Sequence, residues 1–470
     1  MVGGQTGPGW TLPPQTYPPT QPFPPASAPP YPPQPFFVLV PAPPPPPPRR
    51  PGPPRWLWAT AAAIVLLALV AGAAALAWRP RSTARALWHN ADEASAPPAP
   101  DAPASEWNDW ALREATRIED DQATALLTGD EDAYLAALDP DDARLQVDQQ
   151  RRFEVLRQMG IGQWTQTVRG SVDVTGELAW HADVKVTYCF GDPTCRPNTL
   201  VIGTDWRLAK DHIVLTAVDQ SGRDQVGPRP WEAAELTVAT GSRTVVATSS
   251  RLDRRLDDTL AAAEKAAAVA DTLARWDGPP SRYVVFVASG ADWTVWYGYD
   301  QPEWAAGVYV NQTDNEVVVN GPVVPLADTE NLLTHEFTHV ATLAGKRAGL
   351  NNAAWWLVEG IAEYATMIGR PVGDYEKIDD ARAFVAQGWD GDPAVERPAF
   401  DATNLEASGR YAVAFLSMRR MADVYGQDKM LDFFGRVVHD GLTLDAAATA
   451  VYGVGWSTVS TNLATFIRNA

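Results

Sequence analysis

The sequence predicts an α+β protein with a single transmembrane helix, a small α+β domain, and a larger C-terminal domain whose first part is mixed and whose second part is mostly helical. Three observations support this fold class. The chain has 470 residues, too many for one ordinary hydrophobic core. A run of 23 uncharged residues lies between Arg55 and Arg79. Beyond residue 105, segments with helical spacing, alternating β-rich runs and further helical segments follow in order.

Residues 1–54 are a low-complexity segment that holds 23 of the 41 prolines. Such a segment lacks the aliphatic side chains that form a core, and it samples extended polyproline conformations. We predict a disordered proline-rich tail that acts as a spacer, with a docking ligand for a partner as the alternative.

The uncharged run at 56–78 is long enough to cross a bilayer. At 1.5 Å per residue it spans roughly 34 Å, and tryptophans near both ends suit the membrane interface. A buried core helix and a cleavable signal peptide ending at Ala75-Leu76-Ala77 are the alternatives. The run is longer than the apolar part of a usual signal peptide, and 55 residues precede it. We therefore predict an uncleaved single-pass anchor in the lipid bilayer of the cell membrane.

Charge is distributed unevenly along the chain. Residues 1–90 contain six arginines and no acidic residue, whereas the rest has 32 basic and 57 acidic residues, a net charge of −25. Three arginines flank each side of the apolar run, so arginine counts alone do not set its orientation. The acid-free N-terminal side predicts a cytoplasmic N-terminus and an extracytoplasmic C-terminal body. The acidic body argues against a nucleic-acid partner, because phosphate binding needs the opposite charge.

The first folded domain is predicted at 105–230, after a linker at 91–104. Helical spacing from Glu106 breaks at Gly129-Asp130, and four alternating runs follow: WTQTVRGSVDVTG, AWHADVKVTYCF, NTLVIGTDWRLAK and HIVLTAVDQ. Helices followed by an antiparallel sheet give an α+β domain. The pattern resembles, loosely, the cone-shaped fold of the nuclear-transport-factor and cystatin-like families, whose members often act as binding or spacing modules.

The two cysteines of the chain lie within this domain. Cys189 and Cys195 bracket the short turn CFGDPTC between two of the β-rich runs. A cysteine pair in an exported domain is more often a disulfide, so we predict one here, with two buried free thiols as the alternative. A zinc site at this turn is disfavoured because no further cysteine or histidine cluster completes it.

The C-terminal domain is predicted at 232–470 and begins with β-rich segments. ELTVATGSRTVVATSS alternates like strand on both sides of Gly241, RRLDDTLAAAEKAAAVADTLARW is helical, and RYVVFVAS is a strand. AGVYVNQTDNEVVVNG is predicted to be a hairpin across the polar stretch Gln312–Asn315. Two helices that carry the candidate chemistry follow.

The first of these helices carries a metal-binding pattern. DTENLLTHEFTHVATLAG has apolar residues at helical spacing, with Thr329 or Asp328 as its N-cap. His335 and His339 lie four apart, so their Cβ atoms are about 5–6 Å apart on one face, which suits two imidazoles on one zinc ion. Glu336 lies beside them, within reach of a water molecule at the ion. The motif alone is only suggestive, because it arises by chance in roughly one such sequence in 300.

The second helix supplies two carboxylates. AAWWLVEGIAEYATMIG presents Glu359 and Glu363 four residues apart on one face. Glu359 can serve as a third ligand, and Glu363, one turn further, can accept a hydrogen bond from a ligating imidazole. The alternative, a solvated acidic face, fits poorly with two lone acids in a segment that is otherwise mainly apolar.

These motifs resemble a known family. HEFTH at 335–339, followed after nineteen residues by EGIAEY at 359–364, is similar to the gluzincin clan of thermolysin-like zinc metallopeptidases, in particular to bacterial peptidase-MA-like domains. The helical stretch from RYAVAFLSMRRMADVYG to the C-terminus follows the same family, so that the resemblance covers roughly 232–470. It implies a zincin fold with His335, His339 and Glu359 on Zn²⁺ and Glu336 as general base.

The resemblance also implies a group that stabilises the oxyanion, because members of the clan use a Tyr or a His for this. Tyr411 is the first candidate, with a structural role as its alternative, and His439 is the second. Members of the clan bind an extended peptide along an edge strand, which here corresponds to the backbone of Ala306–Val310.

The predicted function is zinc-dependent hydrolysis of peptide bonds in a peptide or protein substrate. The G-x-M-E-N strand with which aminopeptidases of the clan grip a free amine is absent, which favours an endopeptidase. One rival is a catalytically idle, zinc-bearing surface binding protein, although such a protein has no need of Glu336. A purely structural zinc is the other, and structural sites usually close the fourth position with Cys or His.

Overall fold

The computed structural model describes residues 96–470 except 194, 221–226, 299–305, 311–312, 314, 347–353 and 400. The predicted tail at 1–54, the predicted membrane span at 56–78 and the first part of the predicted linker, 91–95, lie outside these residues. The described residues belong to one compact unit.

The first part of the described chain contains helices followed by a sheet. Its elements are α1 (Ala104–Thr128), α2 (Glu131–Leu135), α3 (Ala143–Gln158), β1 (Ile161–Val168), β2 (Asp173–Gly176), β3 (Ala179–Phe190), β4 (Asn198–Ala209) and β5 (His212–Val218). The predicted break after α1 is confirmed: Gly129 adopts a left-handed φ of 79°, and its N–H donates to the carbonyl of Ala125. Helix α3 is absent from the predicted elements.

The strands of the first sheet pair in the order β1-β3-β4-β5, with β2 also paired to β3, and every pairing is antiparallel. Three of the four predicted runs form one strand each. The first run instead splits into β1 and β2 around Gly170, which has a left-handed φ of 71°. The α+β class is observed here, whereas the likeness to cone-shaped domains stays a prediction.

The second part is mixed at first and then helical, as the sequence predicts. Its elements are α4 (Pro230–Ala233), β6 (Leu236–Thr240), β7 (Thr244–Ser249), α5 (Leu256–Asp271), β8 (Tyr283–Ala288), α6 (Gly290–Trp293), β9 (Gly307–Tyr309), β10 (Glu316–Asn320), α7 (Thr329–Thr342), α8 (Trp355–Thr366), α9 (Ile378–Ala386), α10 (Asn404–Tyr425), α11 (Gln427–Val438), α12 (Leu444–Tyr452) and α13 (Trp456–Asn469). Asp328, the alternative candidate, takes the N-cap position of α7.

The second sheet has the strand order β6-β7-β8-β10-β9. Strands β7, β8 and β10 run parallel, and β6 and β9 pair antiparallel at the two ends. The three parallel strands are buried along their whole length. Their near-continuous runs of valine follow from this, because a strand covered on both faces has no solvent side on which to alternate.

The two faces of the second sheet contact different parts of the chain. Val285 and Val317 lie in a core shared with helices α5 and α7. Phe286 and Val318 lie in a second core, shared with strands of the first sheet. One hydrophobic core therefore crosses the predicted boundary near residue 230, and the division into domains 105–230 and 232–470 stays a prediction.

The helices of the C-terminal part pack on one another around α10. Helix α8 crosses α10 at Gly360, where an added Cβ would lie only 2.6 Å from the carbonyl oxygen of Ala414. Glycine thus permits a close approach of the two helices, and this approach fixes the position of the residues on either side of it.

The predicted disulfide is confirmed. Cys189 at the end of β3 is bonded to Cys195, with 6.1 Å between the two Cα atoms. The loop closed by this bond is short, so we expect the bond to stabilise the fold by only about 2–3 kcal/mol.

The prediction of a transmembrane helix is corrected. Among the helices of the described residues, none is long and apolar enough to cross a membrane. The predicted single-pass localisation with a cytoplasmic N-terminus is wrong on this finding, and the bilayer contact through 56–78 is without support. The membrane span was predicted from the length of the run at 56–78 and from its lack of charged residues. Ten of the 23 residues in that run are alanine, whose short side chains bury little apolar surface.

Candidate metal centre

Helix α7 presents both histidines of the motif because its apolar side packs on the second sheet. Phe337 and Val340 are buried in the core beneath the helix, and Phe337 stacks on Tyr283 with 4.4 Å between ring centroids. His335 and His339 project together one turn apart. Their ring centroids lie 4.8 Å apart, and their Nε2 atoms lie 3.1 Å apart.

Helix α8 brings a carboxylate to the same point. Oε2 of Glu359 lies 3.2 Å from Nε2 of His335 and 3.3 Å from Nε2 of His339. Gly360, the next residue, is where α8 meets α10 most closely. The crossing of these two helices therefore sets the position of Glu359 relative to the histidines.

The three side-chain atoms fit a zinc ion. A tetrahedral ion with ligands at its usual bond lengths places neighbouring ligand atoms about 3.3–3.4 Å from one another. The observed separations are 3.1, 3.2 and 3.3 Å. Two imidazole nitrogens and one carboxylate oxygen are also donors that zinc prefers. Within the described part of the chain, no other group of three His, Cys, Asp or Glu residues lies close enough to hold a metal ion.

Without a metal ion, the imidazole of His335 and the carboxylate of Glu359 form an ion pair. Burial alone would lower the pKa of His335, but the hydrogen bond to Glu359 and the charges of Glu363 and Glu336 raise it to about 9. Burial would raise the pKa of Glu359, but His339 and His335 hold it well below its usual range. The space between Glu359 and the two imidazoles therefore favours a cation. Because a metal ion has to displace the proton of His335, its affinity falls as the pH falls.

Glu336 lies beside the cluster and is held by strand β9. The backbone N–H of Tyr309 donates a hydrogen bond to its carboxylate. Gly307 on the same strand is so close that a Cβ there would lie 3.2 Å from Oε1 of Glu336. Burial raises the pKa of the Glu336 carboxyl, and the neighbouring His335 and His339 offset part of this effect. A raised pKa suits a group that accepts protons near neutral pH.

Glu363 stands behind His335. Its Oε1 lies 3.5 Å from Nδ1 of His335. Tyr375 donates its hydroxyl to Oε2 at 2.8 Å, and Nζ of Lys377 lies 3.0 Å from Oε1 and 3.2 Å from Oε2. Burial would raise the pKa of Glu363. The charges of Lys377 and His335, together with the hydrogen bonds from Tyr375 and Lys377, hold that pKa below its usual value. Glu363 is therefore a carboxylate beside the imidazole, as the spacing predicts.

The two candidates for an oxyanion donor occupy different places. The ring of Tyr411 faces His335, with 6.2 Å between centroids. His439 points elsewhere: its Nε2 lies 2.7 Å from the carbonyl oxygen of Thr342, and its ring stacks on Trp276. The structure brings Tyr411 to the cluster and holds His439 at the C-terminal end of α7.

A cleft of about 680 Å³ opens onto the cluster. His335, Glu336, Glu363 and Tyr411 are among the residues that line it. Apolar side chains form part of its wall, namely Val323, Val324, Pro325, Leu332 and Met367. Polar side chains form the rest, including Asp328, Asn331, Arg370, Asp374, Glu376, Lys377, Asn404 and Ser408.

Sequence reasoning missed Tyr375, Lys377 and the backbone contact of Tyr309. The first two follow α8 in the segment YEK and approach Glu363 through a turn rather than along a helix face. Helical spacing therefore carries no signal for them. The one signal in the sequence is the lysine shortly after Glu363.

Parts of the chain are similar to known proteins. No curated protein matches the chain. Among solved structures, the chain is similar to native yeast LTA4 hydrolase, with 14% identity, 54% of this chain and 42% of that chain covered, and a TM-score of 0.33. It is also similar to an M1 zinc metallopeptidase from Deinococcus radiodurans, with 13% identity, 65% and 61% covered, and a TM-score of 0.31. The chain thus spans less than two thirds of either structure.

The part of the chain that carries the cluster also matches a family model. The match covers residues 268–469, from the last turn of α5 to the end of α13, and includes both histidines, Glu359 and Tyr411. It confirms the resemblance to peptidase-MA-like domains. Residues 268–469 of this chain are similar to the family described as the Peptidase MA superfamily.

Proposed function

We propose that this protein is a zinc-dependent peptidase in which His335, His339 and Glu359 hold the ion and Glu336 is the general base. The observation that carries the proposal is the triangle of ligand atoms, with sides of 3.1, 3.2 and 3.3 Å, reached by a cleft that His335 lines. The match of residues 268–469 to a peptidase superfamily model supports the same reaction class.

The chemistry divides between the ion and the side chains. When bound, zinc supplies a Lewis acid that polarises a carbonyl and makes a water molecule more acidic. Glu336 accepts the proton of the attacking water and passes it to the nitrogen of the departing amine. Its carboxylate is aimed by the N–H of Tyr309, so its position depends on strand β9. Burial raises its pKa, which favours proton transfer in both directions near neutral pH.

Tyr411 is the proposed donor to the oxyanion. Its hydroxyl belongs to a side chain that lines the cleft and faces His335. Burial and the charges of Glu359, Glu363 and Glu336 raise its pKa well above the usual value, so it stays protonated and able to donate. A preorganised donor of this kind typically contributes about 10²–10³-fold to kcat.

The substrate is proposed to be an extended peptide that is cleaved within its length. Strand β9 pairs with β10 on one side and ends the sheet among the described strands, so its other side can pair with a peptide backbone. Gly307, beside Glu336, lets that backbone approach the base. The chain lacks the G-x-M-E-N strand that grips a free amine, and so we favour an endopeptidase.

The test is digestion of a mixed peptide library by the full chain, with and without a zinc chelator. We expect cleavage that the chelator abolishes and added Zn²⁺ restores. Peptides acetylated at the N-terminus should be cleaved as well as free ones, because an endopeptidase does not need the amine. Cleavage restricted to free N-termini would retain the peptidase and reject the endopeptidase.

The matched variants are Glu336→Gln and Glu330→Gln. Glu330 lies on the same helix but is paired with Lys265 at the surface, so its variant should cleave normally. Glu336→Gln should retain zinc and lose roughly 10²–10⁴-fold in rate, since it cannot accept a proton. If the unaltered protein holds zinc and cleaves nothing, and Glu336→Gln behaves identically, the protein is the zinc-bearing binding protein instead.

A further inference from the structure

Lys377 is a cation that the proposed reaction does not use. It precedes α9, and its side chain turns inward so that it is largely buried. Within the described part of the chain, its ammonium group forms ion pairs with Glu363 and with Glu376. Glu363 is itself almost fully buried, and so this contact differs from the surface pairs elsewhere on the molecule.

We propose that Lys377 is a positioning residue that acts through Glu363 to orient His335 for the metal ion. This inference rests on the proposed function, since it assigns Lys377 a part in binding the proposed zinc. The site then includes Lys377 in addition to Glu363, the carboxylate that contacts the imidazole of His335.

The geometry gives Glu363 one fixed orientation. Tyr375 donates to Oε2 at 2.8 Å, and the ammonium of Lys377 bridges both oxygens at 3.0 and 3.2 Å. Oε1 is then the oxygen that faces Nδ1 of His335, at 3.5 Å. An acceptor at Nδ1 fixes the imidazole tautomer that leaves Nε2 free for a metal ion.

The segment that carries Lys377 is anchored independently of the metal ligands. The ring of Tyr375 is buried and packs on Phe415 of α10, with 4.2 Å between centroids. The N–H of Ile378 donates to the carbonyl of Tyr375, which closes the turn between them. The ammonium group is thus delivered by a braced turn and not by a flexible surface chain.

Lys377 also compensates negative charge at the site. Glu336, Glu359 and Glu363 place three carboxylates in a buried region, and a zinc ion supplies two positive charges. Lys377 supplies the third, and buried charges are stable only when they are compensated. Glu363 and Glu376 keep the pKa of Lys377 above its usual value although burial would lower it, so the cation persists.

The experiment measures the Zn²⁺ affinity of the full chain by competition with a chelator, in the unaltered protein and in Lys377→Met, Lys377→Arg and Tyr375→Phe. We expect Lys377→Met to bind zinc roughly 10–100-fold more weakly, with partial recovery in Lys377→Arg. Tyr375→Phe keeps the ring that packs on Phe415 and should show a smaller loss. Lys265→Met is the matched control, because that lysine forms an exposed ion pair with Glu330 and its removal should leave the affinity unchanged.

A double variant separates positioning from general damage to the fold. If Lys377 acts through Glu363, then Lys377→Met should have little further effect on zinc affinity in a Glu363→Gln background. Additive losses would overturn the proposal. Thermal unfolding of each metal-free variant identifies any that fail to fold, and Lys377→Arg is then compared with Lys265→Met.

The remaining outcomes distinguish this inference from the proposed function. Unaltered protein that binds no Zn²⁺ would reject the proposed function and this inference together. Unaltered protein that binds zinc, with an equal affinity in Lys377→Met, would reject the positioning role alone. A fall in kcat/KM at unchanged zinc affinity would also overturn it, and would assign Lys377 to the substrate.

Discussion

Two clusters built around buried carboxylates lie on opposite faces of the second sheet. On the face toward the first sheet, Glu316 of β10 accepts hydrogen bonds from Tyr188 at 2.9 Å, from Asn198 at 3.2 Å and from Tyr297. Arg229, itself buried against the ring of Tyr297, supplies a compensating charge. This cluster contains residues from both sheets and is sealed: the exposed fraction of Glu316 is 0%.

The cluster on the other face is organised differently. The partners of Glu359 are two imidazole nitrogens, which can release a proton and bind a metal ion, whereas the partners of Glu316 are mainly hydroxyl and amide donors. A cleft also reaches this cluster through His335 and Glu336. Burial of a carboxylate alone therefore does not mark a functional site. The chemistry of its partners and access for a substrate make the difference.

The largest expected effect comes from removing a ligand. In His339→Ala or Glu359→Ala, the purified full chain should contain far less than one zinc per molecule, and peptide cleavage should be undetectable. Elemental analysis after dialysis measures the zinc. His212→Ala is the matched control, because that histidine is exposed and pairs with Asp211. Stoichiometric zinc in the ligand variants would show that the ion is bound elsewhere.

Removing the carboxylate of the sealed cluster should act on stability instead. Glu316→Ala removes the acceptor that Tyr188, Asn198 and Tyr297 share and the negative charge beside Arg229, which costs about 3–5 kcal/mol in the free energy of unfolding. Urea denaturation with a chelator present measures this, because bound zinc would otherwise add to the stability.

The zinc content of the folded fraction of Glu316→Ala should be normal. Tyr188→Phe provides the graded control, with an expected loss of about 1–2 kcal/mol from one hydrogen bond. A Glu316→Ala protein that is as stable as the unaltered chain but has lost zinc would reverse the roles that we assign to the two clusters.

The two clusters also differ in how far the sequence predicts them. His335, His339, Glu359 and Glu363 are predicted because helical spacing is local and can be read without knowing the fold. Glu316 is invisible at that level, since its partners Tyr188 and Asn198 lie 128 and 118 residues away in the chain.

Lys377 was missed for a related reason: its contact with Glu363 depends on a turn and on packing against α10. Tyr411 was identified through the family resemblance, because helical periodicity does not distinguish it from a core tyrosine. The predicted membrane span failed for a different reason, since it used the absence of charge as its main criterion.

The next effect is the loss of kcat expected when Tyr411, the proposed oxyanion donor, is replaced. Tyr411→Phe should lower kcat by on the order of 10²-fold, while the zinc content and KM stay nearly unchanged, because a hydrogen bond to the oxyanion strengthens only in the transition state. Steady-state kinetics on a cleaved peptide measures the split between kcat and KM. Tyr364→Phe is a control on the neighbouring helix, where the hydroxyl contacts Gln427 instead of the cluster. Unchanged kcat in Tyr411→Phe would leave that tyrosine with its structural role.

Glu119 is a third buried carboxylate, and it accepts fewer hydrogen bonds than Glu316. Glu119 on α1 accepts a hydrogen bond from Gln166, whereas its Oε1 has no hydrogen-bond partner among the described residues. Burial raises its pKa to about 8, although Arg152 and Gln166 act in the opposite direction. The folded chain therefore keeps Glu119 protonated at pH values where the unfolded chain has lost the proton.

A pH dependence of stability follows from this shift. Between the usual pKa of a glutamate and about 8, the folded state binds one proton more than the unfolded state, so Glu119 contributes a loss of stability as the pH rises. The slope is at most about 1.4 kcal/mol per pH unit, and it vanishes below and above this window. Glu119→Gln should remove it, so that the variant gains stability relative to the unaltered chain between pH 5 and 8 in urea denaturation. Parallel pH profiles for the two proteins would mean that Glu119 is ionised in the fold and that Arg152 compensates its charge fully.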